Sequence, residues 1–263
     1  NSEGAVPTAR GVSFTIHSVG ATGCTLLLFR PQEKEPYARL KYPEAYHIGN
    51  TFAMLVFGLK IDEFEYAFQL DGPYDESRGL LFDKNNVLLD PFAKAVTGQR
   101  NWGERPESDE GFVYHARVVE NNFDWGKMTF PEIPAEDLII YETHVRGFTR
   151  DASSGVTAGG TFEGLRQKIP YLKDLGVNAI ELLPIFEFDE MESARVVDGV
   201  QLYNYWGYNT VSFFAPNTSY SSVVEHNHEG DELKLLISEL KANGMEVILD
   251  VVFNHRSEER RVG

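Results

Sequence analysis

Cysteine is almost absent. Cys24 is the only one in 263 residues, so no intrachain disulfide can form. It sits in an apolar run, residues 24–29, and reads as a small buried hydrophobe. Long apolar runs are absent too, and none approaches the roughly 20 residues needed to span a bilayer. Positive charge is in short supply: 24 Lys and Arg face 40 Asp and Glu, for a net charge of -16. That balance argues against nucleic acid and against an anionic membrane surface as partners. It fits an ordinary solvated acidic surface and is compatible with a neutral polar ligand. The start, NSEGAV, has neither an initiator methionine nor a leader pattern. We expect a truncated N-terminus, with any targeting segment lost along with it.

What is present is globular. The 42 % hydrophobic and 13 % aromatic content exclude a disordered chain. Residues 1 to about 120 read as short strands. Val12, Phe14 and Ile16 alternate with Ser13, Thr15 and His17, the period of a half-buried strand. Residues 18–23 form a turn and 24–29 the next strand. Residues 51–57, 63–70 and 112–119 repeat the theme, with Asp71, Gly72 and Pro73 as a break. Strands of this kind predict an antiparallel β-sandwich that looks complete and able to form its own core.

The pattern changes after Pro131 and Pro134. Residues 138–141 are a continuous apolar strand leading into Glu142, Thr143 and His144. Phe162, Leu165, Ile169 and Leu172 follow at helical spacing, with Pro170 expected to kink the helix or begin a second segment. Gly176 ends it and residues 177–183 form a second buried strand. A long connection, 184–230, precedes a helix with Leu233, Leu236, Ile237 and Leu240 on one face and Gly244 after its end. Residues 247–253 are the third strand. The β-α-β-α-β order implies a parallel sheet with right-handed crossovers. A connection of such length is usually functional.

Several side chains in this half invite a role. Asp250, Asn254 and His255 follow a buried strand, where a (β/α) barrel places substrate contacts. His226 and His228 lack a third ligand at metal spacing and read as a solvated loop. Glu187, Asp189, Glu190 and Glu192 read as a solvated acidic loop. Tyr203, Tyr205 and Trp206 are expected to pack the long loop. His144 and Arg146 are expected to orient loops at the end of the first strand.

Residues 250–255 (DVVFNH), 141–149 (YETHVRGFT), 182–188 (LLPIFEF) and 206–209 (WGYN) resemble the α-amylase superfamily of glycoside hydrolases. Within it they are similar to the isoamylase-type glycogen and starch debranching enzymes. Residues 72–74 (GPY) and 88–92 (LLDPF) look like the tail of the carbohydrate-binding-module-like sandwich that precedes the barrel in debranching and branching enzymes. The resemblance covers roughly residues 10–255. It implies a multidomain α/β protein. Residues 1–125 would be the β-sandwich, and residues 126–255 about the first three strands of a TIM barrel. Residues 256–263 are highly charged, unlike the loop expected there, and coincide with the translation of a common sequencing adapter. We read them as a non-native tail and the chain as an N-terminal fragment.

The same resemblance implies hydrolysis, with retention, of α-1,6 branch points in glycogen or starch, so the expected partner is a branched α-glucan. Tyr208 would stack on the sugar to be cleaved. His255 would hydrogen-bond one of its hydroxyls, and Asp250 would anchor the site by pairing with an arginine further along the parent. Asn254 is a calcium ligand in many amylases, a site that isoamylase-like enzymes need not share. We therefore assign it only supporting contacts, with no metal and no cofactor. The catalytic carboxyls of such enzymes, about 5 Å apart, lie on the fourth and fifth strands, with a supporting Asp on the seventh, so no catalytic residue is named here and the fragment is expected to be inactive. The alternatives are an α-1,4-glucan branching enzyme or another enzyme of the α-amylase superfamily, and a non-catalytic glucan-binding debrancher homologue. Expected locations are the cytoplasm in a bacterium and the plastid in a plant or alga.

Overall fold

The computed structural model describes residues 3–97, 101–104 and 113–254. Its first half is built from two antiparallel sheets, of four and five strands among the described residues. In the first, Gly11–His17 pairs along its whole length with Thr51–Phe57, and Gly4–Thr8 lies on its other side. Val12, Phe14 and Ile16 point into the core, as their spacing requires. In the second, Gly23–Phe29 lies between Glu65–Asp71 and Pro36–Lys41. Leu26 and Leu28 face the same core as Phe14 and Phe52. Leu27 and Phe29 face the other way and are buried with Ala67. Burial on both faces explains why this strand is a continuous apolar run and not an alternating one. The strand expected over 112–119 is confined to Ala116–Arg117 within the described residues.

The second half holds three parallel strands in register, Ile140–Thr143, Ala179–Leu182 and Glu246–Leu249, in that spatial order. The first begins two residues later than expected. A 3-10 turn, Ala135–Asp137, takes up the chain before it. The third ends at Leu249, so residues 250–254 lie beyond the sheet. Ile180, Leu182 and Val247 share a core with Phe162, Leu165, Leu172 and Leu236 of the helices. Helix α1 is Val145–Thr149, α2 is Phe162–Gln167, α3 is Ile169–Leu175 and α4 is Asp231–Ala242. Pro170 stands in the first turn of α3, so it begins a helix and does not kink one. Gly176, at φ 87°, ends α3 in the left-handed conformation.

Helix α2 sets up a competition that gives a prediction. Alanine at Gly164 gains about 1 kcal/mol of helix propensity. Its Cβ, however, would lie 2.4 Å from the Ala158 carbonyl oxygen and 2.7 Å from Thr149 Oγ1. The backbone contact cannot give way cheaply, so overpacking wins. Gly164→Ala should lower stability by about 1–3 kcal/mol. A denaturation midpoint at or above that of the unsubstituted chain would contradict this.

The long connection ties the two halves together. Val211 and Ala215 belong to the core of the sandwich, which corrects the expectation that the sandwich completes its own core. The Asn227 side chain donates to the carbonyls of Ile61 (2.9 Å) and Val118 (2.6 Å). Arg117, from the sandwich, reaches Glu229 of the connection at 3.1 Å. This packing also corrects the reading of His226 and His228 as solvated. Both are half-buried, and His228 Nδ1 lies 3.2 Å from Asp231. Phe188 and Tyr220 of this loop are fully buried as well, but its buried residues follow neither helical nor strand spacing, so hydrophobic periodicity does not reveal it.

Candidate active-site cleft

A cleft of about 670 Å³ opens where the parallel strands end. It is lined by Glu142, His144, Phe148, Tyr205, Trp206 and Tyr208, among others. Asp250 is fixed at its edge by a backbone bond, its N–H donating to the Leu182 carbonyl at 2.9 Å. The Tyr208 hydroxyl, carried there by the long connection, donates to Asp250 Oδ2. That hydrogen bond, with burial and the charges of Asp250, Glu142 and Glu181, pushes the phenol up to about 12. Tyr208 is therefore a permanent donor to Asp250 at working pH. The structure thus brings together two of the residues singled out in the sequence. His255 lies outside the described residues, as does the segment 256–263. Asn254 is exposed.

His144 organises the wall of the cleft. As N-cap of α1, its Nδ1 accepts the backbone N–H groups of Arg146 and Gly147, both at 3.1 Å. The proton is therefore on Nε2, which donates to the Tyr205 carbonyl at 2.7 Å. Burial lowers the pKa of this imidazole, against the pull of the Tyr205 carbonyl, and the Arg146 charge lowers it further, which keeps the ring neutral. Tyr205 stacks on it at 3.9 Å and 7°. Gly147 leaves the room, since a Cβ there would lie 2.0 Å from the Tyr205 hydroxyl. Arg146 lies over the Trp102 ring at 4.5 Å. Tyr205 thus packs on the end of the first strand while lining the cleft, whereas Trp206 is stacked on nothing among the described residues and is 55 % exposed on the cleft wall.

The acidic run is not a solvated loop. Glu187 is 1 % exposed, Glu190 0 % and Asp189 8 %. Glu187 accepts the Thr218 N–H at 2.8 Å, and Glu190 accepts the Gly103 N–H at 2.9 Å. These carboxyls replace backbone partners, one inside the connection and one in the segment 101–104 packed against it, where no regular ladder satisfies the N–H groups. The interleaved Phe186 and Phe188 were the sequence signal for burial. Burial pushes Glu187 well up. It pushes Glu190 up to about 7, against the Gly103 N–H and the Arg146 charge. Between the ordinary value of 4.5 and about 7 the folded chain keeps a proton at Glu190 that the unfolded chain has lost. Its contribution to stability is then lost as pH rises through that window. Glu190→Gln should flatten the fall in urea midpoint between about pH 5 and about pH 7.5. An unchanged slope would contradict this. Among the described residues, no three His, Cys, Asp or Glu side chains converge to hold a metal ion.

A module ahead of a catalytic domain is also what comparison with known proteins finds. Residues 3–93 match carbohydrate-binding module 48, the isoamylase N-terminal domain, and residues 126–262 match the α-amylase catalytic domain. The chain is 36 % identical over 271 residues to the chloroplastic isoamylase 1 of Arabidopsis thaliana, covering 98 % of this chain and 34 % of that protein. It is 33 % identical over 267 residues to the glycogen debranching enzyme of Serratia proteamaculans, covering 97 % and 39 %. Among solved structures it resembles the product complex of the multi-modular glycogen-degrading pneumococcal virulence factor SpuA. The TM-score is 0.74 at 26 % identity, covering 97 % of this chain and 27 % of that one. These matches define a glycoside hydrolase architecture, a carbohydrate-binding type of module joined to a catalytic domain. The chain belongs to the isoamylase-type branch of the α-amylase family. It spans about a third of the length of the curated relatives it matches.

Proposed function

We propose that the whole protein hydrolyses α-1,6 branch points in glycogen or a starch-like glucan. In this reading residues 1–125 form the carbohydrate-binding-like module, and residues 126–255 contribute the first three strands of a (β/α)8 barrel. The observation that carries it is the Tyr208–Asp250 hydrogen bond, with Tyr208 lining a cleft beyond the ends of parallel strands, where barrel enzymes bind substrate. The relatives' names, an isoamylase and a glycogen debranching enzyme, favour cleavage at branch points.

Each residue has a physical part in this reading. A pyranose offers an apolar C–H face and a rim of hydroxyls. Tyr208 takes the face while its own hydroxyl is committed to Asp250, which holds the ring at one angle. Asp250 keeps its second oxygen for an arginine from a later strand or for the sugar. His255, five residues on, donates to a sugar hydroxyl, and Asn254 supports that turn. The nucleophile and the general acid come from strands beyond this chain, the separation of about 5 Å in retaining enzymes being set there. The expected partner is therefore a branched, neutral α-glucan. An acidic chain of net charge -16 does not repel it as it would a nucleic acid.

A direct test compares two proteins. The whole protein should release reducing ends from amylopectin at an ordinary enzyme rate, about 1 s⁻¹ or more. The 263-residue chain should bind without turnover. Turnover at that rate by the 263-residue chain would overturn the assignment of the catalytic carboxyls to later strands.

A further inference from the structure

The long connection carries an indole that the fold holds in place but leaves uncovered. Trp206 is edge-on to Tyr205 at 5.2 Å and 74°, and to His144 at 6.4 Å and 75°. Tyr205 is itself stacked on His144 and tied to it through its carbonyl. On the other side, Gly207 has φ 77°, and a Cβ there would lie 2.5 Å from the Phe188 ring. The backbone on both sides of Trp206 is therefore fixed. The other two tryptophans differ. Trp102 packs on Phe188 and Tyr220 beneath Arg146, and Trp125 lies against Phe123.

A large apolar ring gains roughly 1.5–3 kcal/mol when it is covered. The same cleft presents the exposed Glu142 carboxylate together with this indole and with Tyr208, whose hydroxyl is held by Asp250. Whatever covers Trp206 must therefore be apolar on one face and hydrogen-bonding at its rim, without negative charge. A neutral sugar ring meets all three conditions. An aliphatic partner side chain would leave the Glu142 carboxylate without a donor, whereas a sugar hydroxyl supplies one.

We propose that Trp206 is a second stacking surface, holding a glucose unit of the α-glucan chain next to the one at Tyr208. The inference rests on the reading of this cleft as a glucan site. Its physical content is that two rings on one short segment, Trp206 and Tyr208, read two units of one chain. Gly207 sets the turn between them.

The test uses the whole protein. Trp206→Ala should raise KM for a branched maltooligosaccharide about three- to tenfold, the size of one aromatic contact. The kcat should change by less than about twofold. Trp206→Phe should recover most of the loss. Maltohexaose should protect an acrylamide-accessible tryptophan in the unsubstituted protein, and that protected fraction should vanish in Trp206→Phe. Two results overturn the proposal while leaving the cleft reading standing. One is an unchanged KM in Trp206→Ala when Asp250→Ala is impaired. The other is a Trp206 that acrylamide cannot reach even without sugar, which would mean that the rest of the protein covers it. Normal binding and turnover in Asp250→Ala would instead overturn the cleft reading, and this proposal with it.

Discussion

Replacing Arg117 with alanine should destabilise the folded chain by about 3–5 kcal/mol. Arg117 is 3 % exposed and Glu65 is fully buried. Arg117 Nε and Nη2 donate to the same Glu65 oxygen at 3.1 and 2.7 Å, and Nη1 donates to Glu229 at 3.1 Å. Burial alone would push the Glu65 carboxyl up. The hydrogen bond with His115 and the Arg117 guanidinium outweigh it, so its pKa lies below the ordinary value. Without Arg117 a buried carboxylate is left uncompensated or must take up a proton. The same pair fixes the acid behaviour. Because the folded-state pKa of Glu65 is depressed, its contribution is present above the ordinary value of 4.5 and is lost as pH falls through the folded value. Arg117→Ala should therefore lose this share of the acid sensitivity. Glu65 belongs to the sandwich and Glu229 to the long connection, so the loss should be felt in both halves. Far-UV circular dichroism and tryptophan fluorescence should shift together. A variant within about 1 kcal/mol of the unsubstituted chain, as for an exposed pair, would contradict this.

Asp250→Ala in the whole protein should lower kcat/KM by about a hundredfold, close to 3 kcal/mol of transition-state stabilisation. The side chain is half-buried at the strand end, outside both cores, so the thermal midpoint should move little. The substitution removes the acceptor of the Tyr208 hydroxyl. Tyr208→Phe keeps the ring and loses the same hydrogen bond, so it should be milder, and the two effects should not add. His255→Ala should cost a similar factor in kcat/KM, again with stability nearly unchanged. Loss of folding with full activity per folded molecule would show that these residues are structural.

The parts of the fold that follow from periodicity were legible in the sequence. Val12, Phe14 and Ile16 sit in the core, and Leu233, Leu236 and Leu240 bury one face of α4. Pro170 and Gly176 mark the start and end of α3. The long connection was the difficulty. Part of its burial rests on Glu187, Glu190 and Asn227, polar residues that satisfy backbone groups of the connection itself and of the segments it packs against. A pattern of hydrophobic spacing assigns such residues to solvent. The same blindness affected the aromatic stretch. Tyr205 and Trp206 are neighbours of similar character and both line the cleft, yet one lies flat on His144 and the other meets its neighbours edge-on. What separates them is the room at Gly147 and the hydrogen bond from His144, both distant in sequence. Within the candidate site, Asp250 and Tyr208 were named from motif blocks, and their hydrogen bond emerged only from the fold.

The central claim is hydrolysis at α-1,6 branch points, and proton NMR of the anomeric region tests it most directly. With the whole protein acting on amylopectin, the α-1,6 signal should fall and one new reducing end should appear for each branch lost. The α-1,4 signal should stay constant. A rise in the α-1,6 signal at the expense of α-1,4, or a spectrum unchanged while the glucan is bound, would contradict the account.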